Sequence, residues 1–143
     1  MVNWKHVRHF EASEFDDPSV LGSGMSISGE LVLSLDKLRH ATDWPICIHK
    51  HAGGGVDVQG SHGHSITSLH LLSNGAKAAD WHFATTVDIP TQIRTVLQFG
   101  FGGTGIYYNW NIPVGFHTDV RLCKKYQVWV QHQPNEYIYL VRG

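Results

Sequence analysis

The stretch Val114-Gly115-Phe116-His117-Thr118-Asp119-Val120-Arg121-Leu122 reads as a β-strand, and it places His117 and Asp119, two residues apart, on the same face. Its neighbours read alike. Residues 106–109, 126–131 and 137–142 are strand-like, and the last two flank Pro134-Asn135 as a hairpin. Upstream, residues 90–99 predict a helix, with Asp88 near its N-cap, Pro90 in its first turn and Gly100 at its end. Ile89, Ile93, Val96 and Leu97 would form its core face. Residues 78–84 predict a strand with Trp81 and Phe83 on one face and Asp80 and His82 on the other, and residues 46–48 a short buried strand. A first helix is expected over 28–41, where Leu31, Leu35 and Leu38 recur as one buried stripe, Ser28 caps the start and Asp43-Trp44-Pro45 ends it. Helices followed by neighbouring strands argue for an α+β fold, with a central, mostly antiparallel sheet and two main helices.

The chain has 143 residues, the size of a single domain spanning 1–143. Eleven Lys+Arg against 12 Asp+Glu leave a formal charge of -1, so no basic stripe exists to follow a phosphate backbone and no nucleic-acid partner is expected. A hydrophobic content of 42% builds a core, while no apolar stretch approaches the ~20 residues of a membrane span. The opening residues lack the apolar run of a secretory signal, which fits a protein that stays cytoplasmic until released or is part of a larger particle. Cys47 and Cys123 are far apart and read as two buried thiols, with a single bridge as the alternative. Residues 1–25 form an irregular arm anchored by Trp4, Phe10 and Phe15, and residues 51–68 a polar Gly/His-rich loop.

Eleven histidines, as many as all Lys+Arg, point toward metal chemistry. His70, Asp80 and His117 together make a borderline ligand set suited to one zinc ion, leaving a fourth position for water as in catalytic rather than structural sites. Spacing alone does not single them out. His70 reads equally as a loop histidine, Asp80 as a turn carboxylate and His117 as a core histidine.

The neighbouring motifs add to that reading. Phe10-Glu11-Ala12-Ser13-Glu14-Phe15 and Leu35-Asp36-Lys37-Leu38-Arg39 precede Ser68-Leu69-His70 and Ala78-Ala79-Asp80. Gly100-Phe101-Gly102-Gly103-Thr104-Gly105-Ile106-Tyr107 and Gly115-Phe116-His117-Thr118-Asp119-Val120-Arg121 follow. Over about residues 4–129, this ordered set resembles the zinc D-Ala-D-Ala carboxypeptidase superfamily. That group includes the phage L-alanyl-D-glutamate endolysins and shares its fold with the hedgehog signalling domain. The resemblance implies a hedgehog-like or DD-peptidase-like fold, with His70, Asp80 and His117 as zinc ligands. It also implies hydrolysis of peptidoglycan peptides next to a D-amino acid.

The chain departs from the family pattern in three places. His70 and Asp80 are ten residues apart where the pattern expects seven, as if Ser73-Asn74-Gly75 were inserted, and His62, His64 and His82 become rival ligands. The arginine that the family uses to grip substrate is missing after the first strand. Lys50 and His51, in His49-Lys50-His51-Ala52-Gly53, are the residues available for substrate there, although Lys50 lacks the bidentate fork of Arg. The acidic general base that many members carry three residues before the last histidine is Val114 here. Asp119 is the nearest carboxylate, read either as the catalytic acid/base or as support that orients a ligand histidine. These departures keep a second function open, a non-catalytic module that binds metal or cell wall. His49 and His51 face either the cleft or solvent, and His6, His9, His40 and His132 are expected at the surface. Trp81, Trp110 and Trp129 fit core packing more readily than stacking on sugars. The glycines from Gly100 to Gly105 read as a tight turn.

Overall fold

Helix α1 covers Gly29–Thr42, and its ends are written locally. Ser28 Oγ accepts from the Leu31 N–H at 3.4 Å, and Asp43 closes the helix in the left-handed region at φ 57°. In the computed structural model, which describes residues 1–122 and 126–141, the Leu31, Leu35 and Leu38 stripe is fully buried. Asp36 on the same helix is also buried. It accepts from the backbone N–H of Arg8 and His9, tying the arm to the helix. The arm is wound rather than irregular, with 3₁₀ turns at Trp4–His6, Ala12–Phe15 and Ser23–Ser26, and Phe10 and Phe15 enter the core.

Helix α2 covers Ile89–Gln98, capped by Asp88 on the Thr91 N–H at 2.9 Å. Its inner stripe is narrower than expected. Ile89 and Ile93 pack against the core and Val96 enters it, but Leu97 is exposed because it lies about 100° round the helix from Val96. Gln92 takes the buried place and donates to the Val87 carbonyl.

The sheet has six strands: β1 (Ile46–Ile48), β2 (Ala78–Phe83), β3 (Gly103–Tyr107), β4 (Gly115–Asp119), β5 (Gln127–Gln133) and β6 (Glu136–Val141). Their order is β1-β2-β4-β3-β5-β6. Every pairing is antiparallel except β3 with β5, so the sheet is mixed. The β5–β6 hairpin turns at Pro134-Asn135 as expected, with Asn135 at φ 63°. Arg142 and Cys123, at the ends of the expected elements, lie outside the described residues.

Three further expectations are corrected. Strand β3 starts at Gly103, inside the supposed turn, because its glycines serve the sheet's surface. A Cβ at Gly103 would lie 2.5 Å from Asp119 Oδ2, and one at Gly105 2.6 Å from Trp129 Nε1. Only Gly100, at φ 68° after α2, acts as the turn glycine. The 51–68 loop is not polar throughout. Gly53 to Asp57 are buried, since this segment runs between the arm and β2: Val56 N–H donates to the Phe15 carbonyl and Asp80 N–H to the Gly54 carbonyl. Cys47 is exposed rather than buried, because β1 is an edge strand and Ile46, not Cys47, points inward.

Alternation along the strands separates two faces. Ala79, Trp81, Phe83, Ile106, Phe116 and Val128 join α1 and the arm in one core cluster. The other face carries Asp80, His82, His117, Asp119 and Trp129 and opens into a cleft.

Candidate metal centre

Asp80 and His117 are direct cross-strand partners in the β2–β4 register, so sheet pairing alone sets them side by side. His70 arrives from the loop and is held in place by backbone bonds. The Asp57 N–H donates to its carbonyl at 3.0 Å, and Leu72 N–H returns to the Asp57 carbonyl at 2.9 Å. The three extra residues are absorbed by a 3₁₀ turn over Leu72–Asn74, ended by Gly75 at φ 97°. His70 Nε2 lies 3.2 Å and His117 Nδ1 2.9 Å from the same atom, Asp80 Oδ1.

The outward nitrogens of both rings are tied. His70 Nδ1 is 3.1 Å from the Gly55 carbonyl and His117 Nε2 is 2.9 Å from Asp119 Oδ2. A carbonyl and a carboxylate only accept, so those nitrogens carry the protons. In the neutral ring, His70 Nε2 would then turn a lone pair toward a carboxylate oxygen. An acceptor facing an acceptor calls for a cation between them. In the metal-free protein a proton on His117 serves in part. Burial opposes its charge, but Asp119 and Asp80 outweigh burial and push its pKa up to about 9. Desolvation raises the Asp80 carboxyl, but His70 and His117, when they carry positive charge, outweigh it and hold the carboxyl far below the usual range. The separations of 3.2 and 2.9 Å suit pairs of ligands that each bind zinc at about 2.0–2.2 Å, His70 with Asp80 and His117 with Asp80. The residues present thus fit the metal that the resemblance implies.

Asp119 is fully buried behind His117 and does not line the cleft. Arg121 grips it with two bonds, Nε to Oδ1 at 2.8 Å and Nη2 to Oδ2 at 2.6 Å. Desolvation works against its charge, but Arg121 and His117 keep the carboxyl well below its ordinary value.

Of the rival histidines, His64 comes closest. His64, His70 and Asp80 offer ligand atoms that all lie within 4.8 Å of one another. Its ring, however, stacks on His70 at 4.5 Å with planes only 10° apart. Parallel stacked rings do not converge their in-plane lone pairs on one point, so His64 and His70 would not hold one ion together. Asp57, buried and missed by sequence reasoning, holds His64 Nδ1 at 2.8 Å. Burial keeps the His64 pKa below its ordinary value. The one sequence signal for Asp57 was a turn-forming aspartate three residues before Gly60, whose N–H it accepts. His62 is taken by Asp17 at 2.9 Å, and His82 by His49 at 2.7 Å.

Lys50 and His51 are not brought to the cleft. The chain leaves β1 at Ile48 and turns into a 3₁₀ helix over Lys50–Ala52, which points Lys50 Nζ at the Ser13 carbonyl and leaves His51 exposed. Val114 is buried in the core cluster and offers no base. The cleft, about 850 Å³, is lined instead by His64, His70, Asp80, His117 and the aromatic residues Tyr107 and Trp129, among others.

Compared with protein-family models, with curated proteins and with solved structures, the chain finds no match. Among the described residues no helix is long and apolar enough to cross a membrane.

Proposed function

We propose that the protein is a zinc-dependent peptidase of the D-Ala-D-Ala carboxypeptidase type, hydrolysing peptidoglycan peptides next to a D-amino acid within a hedgehog-like fold. The observation that carries this reading is the convergence of His70 Nε2 and His117 Nδ1 on one oxygen of Asp80, with both outward nitrogens already tied. Those three residues would hold the ion. Zinc in such a set supplies Lewis acidity and a water acidic enough to ionise near neutrality. The protein's residues do the rest. Asp119, clamped by Arg121, fixes the tautomer and tilt of His117, so it acts as a positioning residue rather than as the base. His64 lines the cleft, stays neutral near pH 7 and is oriented by Asp57, which makes it the group for accepting and returning a proton.

Elemental analysis of untagged protein, with mass spectrometry of peptidoglycan fragments after incubation, tests the reading. About one zinc per chain and new peptide termini are expected, both lost in His117→Ala. Full activity in His117→Ala would overturn it. One observation favours the non-catalytic alternative: Arg121, the guanidinium in the cleft, is engaged by Asp119 and Gln127 rather than poised for a substrate carboxylate. Zinc binding with no cleavage of any fragment would select that alternative.

A further inference from the structure

The outer wall of the cleft is the β5–β6 hairpin, and its inward face is aromatic. Register puts Trp129 opposite Tyr139 and Gln131 opposite Tyr137. Trp129 is buried 5.4 Å from the His117 ring, and Tyr139 follows it at 6.3 Å. Tyr137 and Tyr139 keep 49% and 46% of their surface open. Two residues apart on one strand, they stand about 7 Å from each other on the same face. Around them the lining is neutral and hydrogen-bonding, with Ser65, Thr67, Gln127 and Asn135. Among the described lining residues, charge is confined to the metal-centre groups and to Arg121, which Asp119 neutralises.

We infer that this ledge is a carbohydrate-binding subsite for a β-linked strand of pyranose rings. The C–H faces of a sugar stack on amphipathic aromatic rings, and its hydroxyls pair with hydroxyl and amide side chains. Among the described lining residues, a charged peptide laid along the hairpin would meet no counter-charge outside the metal-centre groups and Arg121. The inference deepens the proposed function and rests on it for its meaning: the scissile peptide is presented while still joined to its sugar strand.

The test is binding of chitohexaose, a β-1,4-linked N-acetylglucosamine oligomer, to the purified full chain, followed by tryptophan fluorescence and calorimetry. The double variant Tyr137→Ala/Tyr139→Ala is expected to weaken binding about tenfold or more. The pair Ile138→Ala/Leu140→Ala changes side chains that are 57% and 59% exposed on the opposite face of the same strand, and should leave binding unchanged. No saturable binding by the unaltered chain, or equal loss in both pairs, overturns the inference. Zinc content and peptide cleavage on the same preparations separate the two ideas. Sugar binding without zinc or cleavage keeps the ledge and removes the peptidase; cleavage without sugar binding removes the ledge alone.

Discussion

Strands β2 and β4 carry two chemistries on alternate residues. On the inner face Trp81 packs on Phe116 with ring centroids 5.0 Å apart, and the Trp81 indole N–H donates to Thr118 Oγ1 at 2.9 Å. On the outer face, one residue along, Asp80, His117, Asp119 and Arg121 form a continuous row of charge-assisted hydrogen bonds. The inner face loses water and gains packing, which stabilises the fold whatever the pH. The outer face desolvates charges, a poor route to stability. Its row of charges suits a cation, since a proton on His117 satisfies both carboxylate and imidazole.

The strongest challenge to that contrast is Phe116→Ala. It should lower unfolding free energy by about 3–5 kcal/mol in denaturant titrations, while the folded fraction keeps its zinc stoichiometry. A loss below about 1 kcal/mol would mean that the inner face is not where stability resides.

Next in size is the pH dependence of the metal-free protein. His117 has a folded-state pKa raised from about 6.5 to about 9, so its contribution is fully present below pH ~6.5 and is lost as pH rises through about 9. Thermal or denaturant melts should show a decline of about 3 kcal/mol at most over that window. Saturating zinc should flatten the profile, because the ion replaces the proton between His117 and Asp80. A metal-free profile already flat there would break the argument for a cation-demanding face.

Asp119→Asn sharpens the contrast within the outer face. Zinc affinity should fall about 10–100-fold, the usual cost of losing the partner that orients a ligand histidine. Unchanged affinity with turnover reduced by about 10²–10⁴-fold would return Asp119 to the role of base. The smallest effect belongs to residues off both faces. Lys50→Ala and His51→Ala should stay within about 0.5 kcal/mol of the parent in stability, with KM unaltered. A rise in KM would put the β1 exit back into the substrate site.

Much of this arrangement was legible in the chain. Leucines at helical spacing, Ser28 and Asp88 as caps and the alternation around Trp81 are local signals, and local signals suffice for α1, α2 and β2. The same alternation paired His117 with Asp119. The strand at Gly103–Tyr107 was displaced in the sequence reading because glycine has low strand propensity. These glycines are there for their neighbours, and those neighbours are sixteen and twenty-four residues away, at Asp119 and Trp129. Leu97 and Cys47 were misjudged because hydrophobic character does not say how wide a buried stripe is, or which strand ends at an edge.

By itself the sequence determined α1, α2, β2 and the α+β class, and it supplied residue types able to ligate a metal. Only the tertiary structure decided that β2 and β4 pair with Asp80 opposite His117, and that the longer His70–Asp80 loop still converges. It also brought Asp57 behind His64 and sent Lys50 away from the cleft. The division has a physical cause. Helix caps and strand alternation are set by interactions a few residues long. Whether a nitrogen ends within 3 Å of a carboxylate depends on register and loop closure across the whole sheet, where each contact is chosen jointly with all the others.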